Sequence, residues 1–318
     1  MRSAIGTVLV TGADGFVGRA LCDFLRSVGH DVVGVCRSAA ANRIQAIGDI
    51  GHYDQWQTLL PGIDVVVHLA GRAHVLQESV DDPLEEFRRI NVLATDRLAR
   101  AAVGAGVRRL VFVSSIGVNG VMTRDRPFTE NDPPDPAEPY AISKYEAEQR
   151  LREIEYSSDL ELVIIRPPLI YGPRVKGNFL RLLAVIRSGI PLPFGAVRNL
   201  RSYLGLQNFC ELLVLCSIHP DAAGELLMAA DGTDVSTPEL LAMISDAMDR
   251  RLRIPSVPLG SLRVLAMLAG RRAELERLTN SLQVDASRAR SILNWTPGTP
   301  LQKGIGAMMD WYQREGCG

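Results

Sequence analysis

The chain has 318 residues, 47% of them hydrophobic and 22% charged, with a net charge of −1. That length accommodates one large α/β domain and a smaller one, and the near-neutral, interspersed charge argues against a nucleic-acid partner or attachment to an anionic membrane. No run approaches the roughly 18 apolar residues of a membrane span, and the opening residues do not read as a secretory leader, because a short apolar run ends at Gly12 and Asp14. The five cysteines, Cys22, Cys36, Cys210, Cys216 and Cys317, show no CxxC or metal spacing. They read as reduced thiols of a cytoplasmic protein, packed as small hydrophobes, and the scattered histidines point to no metal.

Residues 8–18, VLVTGADGFVG, read as a buried strand, a glycine-rich turn and the start of a helix. Gly12, Gly15 and Gly18 stand where a backbone bends tightly and approaches a pyrophosphate. Phe16 and Val17 open an amphipathic helix, Phe16–Ser27, whose free N–H groups and positive dipole end face that phosphate. A second strand follows at Val32–Cys36. Ligands of open α/β sheets bind at the carboxyl ends of strands, so Cys36 and Arg37 meet the adenosine ribose, and Asp31 stands at the wrong end. Arg37 suits a 2′-phosphate, or else stacks on the adenine without discriminating, so NADP, NAD and a relaxed preference all stay open.

A third strand at 43–48 leads to Asp49 and Ile50, placed to meet the adenine, with Asp49 accepting from its amino group. Residues 64–69, DVVVHL, form a fourth strand in which His68 reads as a packed core histidine. Leu69, Ala70 and Gly71 end it with small residues where backbone passes close to the cofactor. Residues 83–104 read as one long helix, with Asn91 an unusual interior residue that bonds across to neighbouring strand ends. Strand Arg109–Val113 runs into Ser114 and Ser115. Pro139 then opens a helix to about Arg152 that carries Tyr140 and Lys144 at i and i+4, on one face. A sixth strand, 161–165, closes on Arg166, Pro167 and Pro168.

Beyond it the texture turns Gly-, Pro- and Arg-rich, with helices expected at 179–187, 209–217, 237–248, 257–271, 286–293 and 301–314. A strand at 225–229 would complete the first sheet, and the apolar stretch 262–269 is expected to be a packed helix. Strand and helix in alternation after a glycine turn predict a Rossmann-type doubly wound parallel sheet with a smaller, mostly helical C-terminal lobe. Residues 1–167, completed by about 204–232, would bind the dinucleotide; 168–203 and 233–318 would form the substrate lobe.

A tyrosine with a pKa of about 10 is a poor base at neutral pH, and an ammonium one helical turn away favours its phenolate. Tyr140 beside Lys144 is therefore a candidate acid–base group, with Ser115 holding a substrate oxygen and a nicotinamide carrying the hydride.

TGADGFVG, HLAG, VSSIGVNG, YAISK and RPPLIYGP, spread over essentially the full length, resemble the extended short-chain dehydrogenase/reductases of the NAD-dependent epimerase/dehydratase family. The resemblance implies that Tyr140 is the acid–base residue, Lys144 its partner and Ser115, five residues before Gly120, the hydroxyl-holding residue. Asn119 stands where many members have Tyr. It implies a homodimer and a nucleotide-sugar site in the C-terminal lobe: Asn178 on a diphosphate, Arg201 on the second phosphate or uridine ribose, and Pro193 and Phe194 near the uracil. Arg72 and His74 either edge the sugar pocket or are plain loop residues.

Family dehydratases carry an Asp-Glu pair directly after the hydroxyl residue; here Ile116 and Gly117 stand there, which disfavours 4,6-dehydration. The longer stretches look most like bacterial reductases of UDP-4-keto-6-deoxy-N-acetylhexosamines, which make O-antigen or capsule precursors. A UDP-sugar 4-epimerase with tightly bound NAD is the alternative. A regulator that senses NADP(H) without catalysis shares this fold, and the intact Ser115, Tyr140 and Lys144 set argues against it.

Overall fold

The computed structural model describes residues 6–38, 44–73 and 82–315. In chain order its elements are β1 (Thr7–Thr11), α1 (Phe16–Ser27), β2 (Val32–Cys36), β3 (Ile44–Ala46), α2 (Trp56–Leu59), β4 (Ile63–His68), α3 (Pro83–Phe87), α4 (Ala94–Gly104), β5 (Arg109–Val113), α5 (Pro139–Tyr156) and β6 (Glu161–Arg166). Then follow β7 (Leu169–Tyr171), α6 (Gly177–Ser188), β8 (Tyr203–Gly205), α7 (Leu206–Ile218), β9 (Leu226–Met228), α8 (Thr237–Ala247), α9 (Leu259–Leu268), α10 (Arg272–Thr279), α11 (Ser287–Leu293) and α12 (Leu301–Glu315).

Seven strands form one sheet in the order β3-β2-β1-β4-β5-β6-β9, and every pairing is parallel. The runs VLV in β1, VVV in β4 and VII in β6 are buried without alternation, as a sheet covered on both faces requires. One face packs on α1, α7 and α11 through Leu21, Phe209 and Leu293; the other packs on α2, α4 and α5 through Trp56, Leu98 and Leu151. The chain leaves β1 for β2 and β3 on one side and returns to β4 on the other. That switch of direction opens a crevice at the carboxyl ends of β1 and β4. A third cluster, with Phe179, Leu183, Ile244 and Met308, joins α6, α8 and α12 to the short parallel pair β7 and β8.

Some expectations are corrected. Residues 83–104 are not one α-helix: between α3 and α4, Arg88–Leu93 winds as a π-helical segment centred on the buried Asn91. Such segments gather at functional positions. The helix expected at 257–271 is the shorter α9, an unexpected helix, α10, follows it, and the small sheet of β7 and β8 comes from a stretch expected to be irregular. The expected third strand is only Ile44–Ala46, and Arg43 lies outside the described residues. The stretch 262–269 is helical but not packed inside: on α9 only Leu262 is buried.

Candidate active site

The glycine turn comes first, because everything else is placed around it. Gly12 has φ +67°, a left-handed conformation, and a Cβ there would lie 3.0 Å from the Ala70 amide nitrogen at the end of β4. A Cβ on Gly18 would stand 2.1 Å from the Gly12 carbonyl oxygen and 2.8 Å from its carbon, so α1 presses directly on the turn. No side chain among the described residues caps α1, which leaves its first N–H groups for an anion. Ser114 Oγ, buried at the carboxyl edge of the sheet, has no hydrogen-bond partner among the described residues. A cradle that excludes a Cβ, an uncapped helix start and an orphaned hydroxyl fit a dinucleotide. Gly18→Ala is expected to weaken dinucleotide binding by about tenfold or more, since overpacking against backbone costs about 1–3 kcal/mol. Wild-type affinity in a calorimetric titration would remove this reading of the turn.

His68 is more than a packed ring. Thr11 Oγ1 accepts from the amides of Leu69 at 3.2 Å and Ala70 at 3.1 Å, so its own proton goes to His68 Nδ1 at 2.7 Å. Nε2 therefore carries hydrogen and donates to Thr95 Oγ1 at 2.9 Å, which donates in turn to the Asn91 carbonyl at 2.7 Å. One fully buried imidazole thus ties the glycine turn, the end of β4 and the π-helical segment together. Burial first, then the Lys144 charge, holds its pKa down at about 3 against 6.5 in an unfolded chain. A depressed folded value favours the neutral ring, so this contribution is intact above pH 6.5 and is lost as pH falls toward 3. Between pH 6.5 and 5 it amounts to about 2 kcal/mol. Urea unfolding at the two pH values is expected to show that loss in the wild type and much less of it in His68→Gln.

Ser115, Tyr140 and Lys144 come together where β5 ends. Ser115 Oγ accepts from the Gly117 amide at 3.1 Å, and a Cβ on Gly117 would lie 3.4 Å from both Ser115 Oγ and the Ala141 methyl. The Ser115 turn therefore lies against the first turn of α5, which carries Tyr140. Lys144 Nζ donates to the Val113 carbonyl at 2.8 Å and stands 4.5 Å above the Phe112 ring. The Tyr140 ring meets Phe87 edge to face at 6.1 Å. The protonation balance differs from the expectation of a lysine-lowered phenol: burial pushes Tyr140 up to about 12 and Lys144 down to about 8. Burial accounts for the rise of Tyr140, and for Lys144 it outweighs the opposing charge of Glu148. At rest Tyr140 is a phenol, a proton donor.

Behind Lys144, one further turn along α5, lies Glu148. Its carboxylate is buried and gripped by Arg166, whose Nε donates at 2.9 Å and whose Nη2 makes a second bond. Arg166 Nη1 donates to Asn119 Oδ1 at 2.9 Å. Glu148 opposes the lowering of Lys144. Thr11, Thr95, Glu148 and Arg166 were not among the sequence candidates. The i, i+4, i+8 spacing of Tyr140, Lys144 and Glu148 was the readable signal for one of them.

Arg37 is exposed just past β2, beside the buried Cys36. Asp49 accepts from the Gly51 amide and Arg89 Nη2, both at 2.9 Å. Ile50, Leu69, Ala70, Phe16 and Val17 are half-buried around the crevice, and Gly71 is exposed there. Asn91 Oδ1 accepts from the Arg72 amide at 2.8 Å, while its Nδ2 donates to the Arg72 carbonyl at 3.0 Å and to Ser143 Oγ at 2.9 Å. Asn91 thereby clamps the loop after β4 to α5. Arg72 lies over the Phe87 ring at 5.5 Å, near Tyr140. Pro167 is buried and its carbonyl accepts from the Ile116 amide at 3.0 Å. In the C-terminal lobe Asn178 lies in the first turn of α6, and Pro193 and Phe194 are half-buried in the segment after it. The Arg201 guanidinium is not turned out to solvent: it donates to the carbonyls of Arg277 at 2.7 Å and Asn280 at 3.1 Å. His74 lies outside the described residues. Among those residues no cluster of three or more His, Cys, Asp or Glu side chains could hold a metal, and no helix is long and apolar enough to cross a membrane.

A family model, the NAD dependent epimerase/dehydratase family, matches residues 8–227. A Vibrio cholerae protein named UDP-glucose 4-epimerase is 38% identical over 305 residues, 94% of this chain and 93% of the relative. An Escherichia coli O157:H7 protein, named as a 4-epimerase of N-acetylglucosaminyl-diphospho-undecaprenol, is 30% identical over 308 residues, 89% and 88% of the two chains. Among solved structures, MoeE5 in complex with UDP-glucose and NAD is similar with a TM-score of 0.79 at 29% identity, covering 97% of this chain and 99% of its own.

Proposed function

Because the chain belongs to the NAD-dependent epimerase/dehydratase family, we propose that it acts at C4 of a UDP-sugar and inverts that centre, as a 4-epimerase with NAD. The observation that carries this reading is the convergence of Ser115, Tyr140 and Lys144 beside two non-acidic residues, Ile116 and Gly117. Both relatives named as 4-epimerases support inversion at C4, and the Vibrio cholerae relative and the similar structure holding UDP-glucose and NAD support a UDP-sugar and NAD.

The chemistry that NAD supplies when bound is reversible hydride transfer at C4. The glycine turn, Leu69, Ala70, Asn91, Lys144 and Pro167 would hold it, with Asp49 and Ile50 at the adenine. Ser115 holds the C4 oxygen. Tyr140 must first lose its own proton, and the phenolate then takes the hydroxyl proton as the ketone forms and returns it as the alcohol re-forms. Lys144, fixed on the Val113 carbonyl, supplies the positive charge that stabilises Tyr140 when it is deprotonated. Pro193, Phe194, Asn178 and Arg201 belong to the uridine diphosphate end. A cytoplasmic homodimer is part of the same proposal, and a place in surface-polysaccharide precursor synthesis goes with the reductase reading below.

Two observations favour a second reading, reduction of a UDP-4-keto-6-deoxy-N-acetylhexosamine. Burial keeps Tyr140 protonated, the state a ketone reductase needs. Arg37 stands exposed where many NAD binders place an acid, so NADPH could serve as an exchangeable cofactor. The test is to offer the purified protein UDP-glucose, UDP-N-acetylglucosamine and the 4-keto sugar with NADH or NADPH, follow the nicotinamide absorbance and separate the products. Interconversion of C4 epimers without net cofactor use is the expected result. Stoichiometric cofactor oxidation with the ketone alone would move the assignment to the reductase, and no turnover of any of the three would overturn both.

A further inference from the structure

The most conspicuous feature that the chemistry leaves unexplained is the stretch 250–273. It carries six arginines, Arg250, Arg251, Arg253, Arg263, Arg271 and Arg272, and no acidic residue, within a chain whose net charge is −1. All six are exposed. Arg271 and Arg272 reach Glu274 at 3.5 Å and Glu276 at 2.7 Å, but the other four meet no carboxylate among the described residues. In the middle of this basic stretch lies α9, which turns its apolar side outward. Leu262 is its buried residue, whereas Val264 is 53% exposed, Leu265 60%, Met267 61% and Leu268 77%. Residues 264, 265 and 268 share one face at helical spacing, opposite the packed one. Ile190, 59% exposed, adds to the same lobe just before the segment 192–195, which bonds to 253–255 through Leu192 N to Arg253 O and Gly195 N to Pro255 O.

We propose that this face of the C-terminal lobe seats the protein on an anionic lipid bilayer, with α9 lying in the interface. Aliphatic side chains on one side of a short helix, within a stretch of sequence rich in exposed arginines, match an interfacial helix whose apolar face enters the acyl boundary while the cations stay at the headgroups. The charge chooses the partner. A second copy of the chain, packed about a two-fold axis, would set the arginine patch against itself, whereas an anionic headgroup layer complements it. Isolated exposed leucines are ordinary, but four large exposed apolar side chains on a ten-residue helix are not isolated and ask for a cover. The surface adjoins Pro193 and Phe194 through the 192–195 pairing, so docking brings the C-terminal lobe's candidate substrate segment to the membrane. Such docking departs from the sequence expectation of no membrane contact and is independent of which sugar reaction the protein performs.

The test is flotation of the full chain with vesicles of phosphatidylglycerol and phosphatidylethanolamine against vesicles of phosphatidylcholine alone. At least about tenfold more protein should float with the anionic vesicles, and raised salt should reduce that fraction. The pair Leu265→Ser with Leu268→Ser, and separately Arg250→Gln, Arg251→Gln and Arg253→Gln together, should each lower binding by about tenfold. Because these side chains are exposed, circular dichroism and the melting temperature should match the wild type, which keeps a folding defect from imitating the result. Absence of flotation at low salt would overturn the proposal, as would binding unchanged in both variants. A concentration-dependent dimer in sedimentation, dissolved by the leucine substitutions and accompanied by no flotation, would assign the face to a second copy instead.

Discussion

Tyr140→Phe is expected to lower kcat by about 10²–10⁴, the range that a positioned acid–base group contributes, while dinucleotide affinity stays close to wild type. The substitution removes one oxygen and leaves the ring. That ring still packs edge to face on Phe87, and Lys144 still stands on the Val113 carbonyl. The glycine turn, the Thr11–His68–Thr95 chain and the Asn91 clamp do not involve the phenol oxygen, so the cofactor crevice keeps its shape. The loss should therefore appear in kcat and not in the Kd for NAD. Equal turnover in the variant would remove Tyr140 from the chemistry. A second signature accompanies it: the Lys144 ammonium, held down at about 8, is lost as pH rises through that value, and wild-type turnover should fall on the same limb.

Much of this site could be read from sequence because the chemistry depends on local spacing. Tyr140 and Lys144 lie at i and i+4, and Gly12, Gly15 and Gly18 share one turn; such patterns survive without knowledge of the fold. What escaped the reading depends on contacts distant in sequence. His68 and Thr11 are 57 residues apart, so nothing local distinguished a packed imidazole from one that ties two strand ends together. Arg166 looked like the end of a strand, and only the sheet register brings it to Glu148 on α5 and to Asn119. The π-helical turn at Asn91 was visible as an oddity of composition, but the helical periodicity of 83–104 concealed it. The exposure of α9 was misread for a related reason. An apolar run is normally explained by burial, and the sequence does not say which face the rest of the chain covers.

Arg166→Met is expected to be the most damaging single change to stability, at about 3–5 kcal/mol, because it strands the Glu148 carboxylate inside the protein. Arg166 and Glu148 are each 4% exposed, and Asn119 is 2% exposed. The guanidinium satisfies both carboxylate oxygens and the Asn119 amide oxygen at once, so three buried acceptors lose donors together. At a few degrees per kcal/mol for a chain of this size, the melting temperature should fall by roughly 10 °C. Combining Arg166→Met with Glu148→Leu should recover most of that loss, since apolar replacement of a whole buried pair is often close to neutral. If the single variant melts within about 2 °C of wild type, the pair does not hold the fold together. The double variant then isolates the electrostatic role from the structural one. Glu148 is the charge that opposes the desolvation of Lys144, so without it the Lys144 pKa should drop further below about 8. The high-pH limb of turnover should shift to lower pH in a protein that still folds. A double variant as stable as the wild type with an unmoved limb would make Glu148 a packing residue only; a moved limb makes Arg166 and Glu148 the positioning pair that keeps Lys144 charged at neutral pH.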